Sequence, residues 1–164
     1  MEDRIAKLKT PEECEVFARN VLERGRPELA QQALRRSVEL RAGSYGAKTA
    51  AEKECLRAVY AYEEVISARN GRRTRATRTW QMIERHGILG AVERAVNRPI
   101  ETLGYSSLVE MGMQDFAFEA VVLRHPDLFS PETVQRSRER MKHWQATSVA
   151  AEDGDQAGRT PSAR

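Results

Sequence analysis

An all-α fold follows from three features of the chain: capped helix starts, apolar side chains at helical spacing, and a shortage of strand formers. Thr or Ser repeatedly precedes Pro or stands three residues ahead of Glu, which answers the free N–H groups of a helix start. Apolar residues recur at i, i+3, i+4 and i+7 rather than alternating, and aromatics make up only 6% of the chain. At 164 residues the chain fits one domain with its own core and needs no disulfide or metal staple. The expected architecture is a compact domain of about six to eight helices over residues 1–145, followed by a disordered tail at 146–164 without periodicity.

The first strong helix opens on Thr10, Pro11, Glu12 and Glu13, a capping box with proline at its first position. Its apolar stripe is Cys14, Phe17, Ala18 and Val21. Gly25 ends it and Pro27 opens the next, so the pair is expected to fold as an antiparallel hairpin. Leu29, Ala30, Ala33, Leu34 and Val38 carry the second helix to a stop near Gly43. The third, roughly Ala50 to Ala68, starts at the Thr49 to Glu52 cap and reads as the central core helix, with Cys55, Val59, Tyr62 and Ile66 on one face.

Further on, Thr77 or Thr79 is expected to cap a short helix holding Trp80 and Ile83 and closed by Gly87. Ile88, Val92, Ala95 and Val96 trace another, which Pro99 stops. Ser107 to Glu110 reads as an S-x-x-E start interrupted at Gly112, and Asp115 as the cap of a helix from Phe116 to Arg124. Ser130, Pro131 and Glu132 begin the last helix, with Val134, Met141 and Trp144 toward the core.

Charge narrows the function. The net charge is only +3, yet the 27 basic residues comprise 22 arginines and five lysines. Five of those arginines, Arg69, Arg72, Arg73, Arg75 and Arg78, fall within ten residues that hold no acid. A guanidinium is a planar, always-charged fork suited to phosphate or carboxylate. With Thr74 and Thr77 beside them and a helix start behind, these residues are the candidate contacts for a nucleic acid. Contact with about four phosphates would make log affinity fall with log salt at a slope near −3.6 on duplex DNA.

The stretch Thr77 to Gly87, with its Thr-Arg-Thr opening, apolar Trp80 and Ile83 and terminal Gly87, resembles the recognition helix of helix-turn-helix proteins. The resemblance implies docking in a DNA major groove. The segment before it, Arg69 to Thr74, reads as a longer loop than that motif's turn. DNA is therefore the favoured partner, with RNA beside it, and noncatalytic binding the favoured function. The alternative is a helical adaptor whose basic patch meets an acidic protein surface, aided by the apolar run from Leu108 to Leu128.

Catalysis has the weakest support. His86, His125 and His143 form no metal-ligand spacing, and no phosphate loop, dinucleotide fingerprint or nucleophile elbow occurs, so no cofactor is expected. Glu110, Asp115 and Glu119 with His125 are the one arrangement that would permit acid–base chemistry. Cys14 and Cys55 are too far apart for a CxxC motif and sit at apolar helix positions. The opening residues Met1, Glu2, Asp3 and Arg4 lack the apolar run of a secretory signal, and no apolar stretch reaches membrane length, which leads to the expectation of a cytoplasmic protein with no membrane partner.

Overall fold

Each helix start written in the sequence costs the chain little, because a nearby side chain answers the N–H groups that a first turn leaves free. The computed structural model describes residues 2–98 and 105–156 and contains eight α-helices and no strand among them. They are α1 (Glu2–Ala6), α2 (Pro11–Glu23), α3 (Pro27–Ser44), α4 (Ala50–Asn70), α5 (Thr77–Val96), α6 (Tyr105–Glu110), α7 (Phe118–Arg124) and α8 (Pro131–Gln156). Single 3-10 turns at Gln114–Phe116 and Pro126–Leu128 bracket α7.

The box at α2 is complete: Glu13 N–H donates to Thr10 Oγ1 at 3.2 Å, and Thr10 N–H donates to Glu13 Oε2 at 3.4 Å. Thr49 likewise accepts from Glu52 N–H at 3.1 Å to start α4. The expected hairpin is formed by α2 and α3, which pack together over Ala18, Val21, Leu29, Ala30 and Ala33, with Ile5 of α1 closing the end. Small alanines at this seam let the two backbones approach closely.

The central helix is α4, which packs against α3, α5, α6 and α7. Its Cys55, Leu56, Val59 and Ala61 are completely buried. One core cluster joins α4 to Trp80, Ile83, Val92 and Val96 of α5 and to Val121 and Val122 of α7. A second joins Val65 of α4 to Leu108, Met113, Phe116 and Ala117. Burial of this apolar surface, at about 25 cal/mol per Å², is the main source of stability. The last helix docks on α7 through the buried pair Arg140 and Glu119, 3.2 Å apart, while Arg140 Nη2 donates to the Arg98 carbonyl at 2.7 Å.

Several expected boundaries move. Helix α3 passes through Gly43 and ends at Ser44, because Gly43 keeps a right-handed conformation and the left-handed glycine is Gly46. Ser107 does not start a helix: it lies inside α6, which terminates at Glu110 ahead of the left-handed Gly112. Asp115 is no cap either, since both its carboxylate oxygens accept from Arg35 at 2.8 and 2.6 Å, and α7 begins two residues past Phe116 with Ala117 as N-cap. By contrast, Gly87 does divide α5 as expected, with φ 76° and ψ 173°. Of the residues expected as a tail, α8 takes in those up to Gln156, and 157–164 lie outside the described residues, as does Pro99.

Candidate nucleic-acid interface

The bend between α4 and α5 is built from one face of α4. Gly71 ends the helix with φ 67°, a left-handed conformation that glycine adopts without a Cβ penalty. Glu63, Ser67 and Asn70, at i, i+4 and i+7, then hold the segment that follows. Ser67 Oγ accepts from Thr74 N–H at 2.9 Å and donates to the Thr74 carbonyl at 3.2 Å. Asn70 Nδ2 donates to Thr74 Oγ1 at 3.1 Å, and that hydroxyl donates to the Arg72 carbonyl at 3.0 Å. Glu63 Oε2 accepts from Ala76 N–H at 2.7 Å and from Trp80 Nε1 at 2.9 Å.

This scaffold divides the five arginines. Arg69, Arg72 and Arg78 are exposed and form no ion pair among the described residues. Arg73 turns to protein: Nη1 lies 2.6 Å from Glu64 and 3.6 Å from Glu15, which ties the bend to both α4 and α2. Arg75 lies over the Trp80 ring, 5.0 Å from its centroid. The indole is flanked by Tyr45 at 5.5 Å and Tyr60 at 5.2 Å. Burial, with the Glu63 carboxylate nearby, pushes the Tyr60 phenol up from its ordinary range.

The threonines also part. Thr74 is a positioning residue whose hydroxyl is already engaged on both sides. Ala76, rather than Thr77 or Thr79, is the N-cap of α5, and no side chain caps it. Thr79 is buried and Thr77 exposed at the first helical position. The reason is Glu63: by taking the Ala76 N–H and the indole N–H together it sets where the helix enters the core. Helical spacing also places Arg78, Gln81 and Arg85, all exposed, on one side of α5 at i, i+3 and i+7, a row that attention to the arginine run alone passes over.

The apolar run from Leu108 to Leu128 is mostly core. Met113, Val121 and Val122 are completely buried, and Phe116 and Phe118 nearly so, while Val109 and Leu128 remain exposed. The possible acid–base set is dispersed: Asp115 binds Arg35, Glu119 binds Arg140, and His125 Nε2 meets Glu54, which Arg124 also contacts at 2.7 Å. Among the described residues no three His, Cys, Asp or Glu side chains are grouped to hold a metal ion. No helix among them is long and apolar enough to cross a membrane.

Fold and site together define an all-α protein with a pinned arginine bend between two helices. The chain matches no protein-family model, no curated protein and no solved structure.

Proposed function

We propose that this chain is a noncatalytic nucleic-acid-binding protein, DNA favoured, that contacts its ligand through the α4–α5 bend and the start of α5. The observation that supports it best is the state of the arginines: Arg69, Arg72 and Arg78 are exposed and, among the described residues, unpaired on a bend whose backbone is fixed by Glu63, Ser67 and Asn70. Cations held on a fixed frame lose little freedom on binding, which favours a positioned contact. The start of α5 adds to this. It has no acidic residue in its first turn and Arg78 stands exposed there, while the Glu63 carboxylate on the Ala76 N–H offsets part of the helix's positive end.

Arg69 and Arg72 are assigned to phosphates. Arg78, Gln81 and Arg85 carry the side-chain types that read guanine and adenine edges in a major groove. Arg73 and Thr74 shape the bend rather than touch the ligand. The two free, buried cysteines, Cys14 and Cys55, suit a reducing compartment and with it the cytoplasmic setting expected from the sequence.

The test is binding to duplex DNA, single-stranded DNA and RNA across a salt series, with Arg69, Arg72 and Arg78 changed together to alanine. The two phosphate contacts of Arg69 and Arg72 correspond to a slope of about −1.8 in log affinity against log salt on duplex DNA, and the triple variant should lose it. Equal binding by the folded triple variant would overturn the assignment. Arginine-dependent capture of an acidic protein, with no nucleic acid bound, would instead favour an adaptor.

A further inference from the structure

Behind the bend lies a cleft of about 410 Å³, walled by Arg41 and Ser44 of α3, Tyr60 of α4 and Arg73, Thr74 and Arg75 of the connecting segment. Its volume is in the range of small-ligand sites, which run from about 300 to 1,000 Å³. We infer that this cleft binds a small ligand through a terminal phosphate group, free or ester-borne. The site uses a different set of arginines from the outward-facing contacts and does not rest on nucleic-acid binding.

The wall holds more donors than the protein itself uses. Arg41 commits Nη2 to Glu15 at 2.8 Å, but its Nε is buried without a hydrogen-bond partner. Arg73 commits Nη1 to Glu64, and Arg75 rests on Trp80 with no carboxylate contact among the described residues. Each guanidinium carries five N–H donors, and the Tyr60 hydroxyl has no partner among the described residues.

Glu63 is the one acid in the wall among the described residues, and its Oε2 is occupied by the Ala76 and Trp80 N–H groups. Glu15 and Glu64 are each held by a guanidinium. Three guanidiniums and a phenol drawn from three parts of the chain outnumber the two oxygens of a carboxylate. They match a terminal phosphate, which presents three acceptor oxygens.

Isothermal titration calorimetry with inorganic phosphate, adenosine 5′-monophosphate and adenosine decides it. Phosphate and the monophosphate should bind saturably and adenosine should not. A tighter monophosphate would show that the organic body contributes, and equal affinities that the phosphate group alone is held. Arg41→Lys, which keeps the charge but removes the planar fork, should weaken binding at least about tenfold. Tyr60→Phe should weaken it less, and Arg69→Ala with Arg72→Ala should leave it unchanged. No saturable heat up to about 10 mM, adenosine binding as well as the monophosphate, or unaltered affinity in both folded cleft variants would overturn the site. Should Arg41→Lys fail to fold, Tyr60→Phe carries the test alone, and unaltered affinity in it would overturn the site.

Discussion

Glu63 of α4 and Trp80 of α5 are joined by a 2.9 Å hydrogen bond from the indole N–H to a carboxylate that also receives the Ala76 N–H. Glu63 is only 5% exposed, so both bonds form out of water, where an unmet donor is costly. Glu63→Gln can keep both bonds on its single amide oxygen but removes the negative charge that strengthens them. The variant should lose about 1–3 kcal/mol of stability in urea denaturation. The Trp80 indole proton resonance should shift in the folded variant while that of Trp144 stays in place.

Arg73→Ala separates shape from contact. The substitution strands Glu64, whose side chain is 8% exposed, and is expected to cost about 1–3 kcal/mol. The salt slope of DNA binding should hold near its original value, since Arg69, Arg72 and Arg78 remain. A large fall in slope with unchanged stability would move Arg73 to the outer set.

Gly87→Ala tests the break in α5. With φ 76° and ψ 173° the residue occupies a region that side chains strongly disfavour, although no atom lies within 4 Å of an added Cβ. The cost is therefore backbone strain, about 1–3 kcal/mol, read as a lower denaturation midpoint with no change in the dependence on denaturant.

Below about pH 4 the tie between α3 and the turn before α7 should weaken. Hydrogen bonding to Arg35 holds the Asp115 carboxyl below its ordinary value of 3.8. A carboxyl depressed on folding stabilises above its unfolded pKa, and that contribution is lost as pH falls through the folded value. Since the Asp115 side chain is 48% exposed, the stabilisation is at most about 1 kcal/mol. Asp115→Asn should flatten the acid limb of the stability curve and leave the rest in place.

Neither cysteine should react in the native protein. Burial pushes the Cys55 thiol up to about 12 and raises that of Cys14, so neither supplies thiolate at neutral pH. Iodoacetamide at pH 8 should label both only after unfolding, with mass spectrometry as the readout. Rapid labelling of the native chain at Cys55 would contradict its burial.

The helix starts at Thr10, Thr49 and Ser130 were legible because their capping groups are neighbours in sequence. Asp115 and Thr77 were not, for the opposite reason. Their environments are set by Arg35 and Glu63, which only the folded chain brings near. The same limit applies to the arginine run: its density is a sequence fact, but its division depends on Glu15, Glu64 and Trp80. Glu63, Ser67 and Asn70 were the available clue. Their helical spacing puts three polar side chains on one side of a core helix, where something polar must face them.

The ring of Trp80 stands between Tyr45 and Tyr60, with the Arg75 cation also over it. Coupled aromatic chromophores in a fixed, chiral arrangement give near-ultraviolet circular dichroism, and a cation over an indole alters its emission. The junction of α4 and α5 thus carries an optical reporter native to the chain. Ligands that move Arg75 will disclose themselves by that signal, without a label and before any affinity is measured.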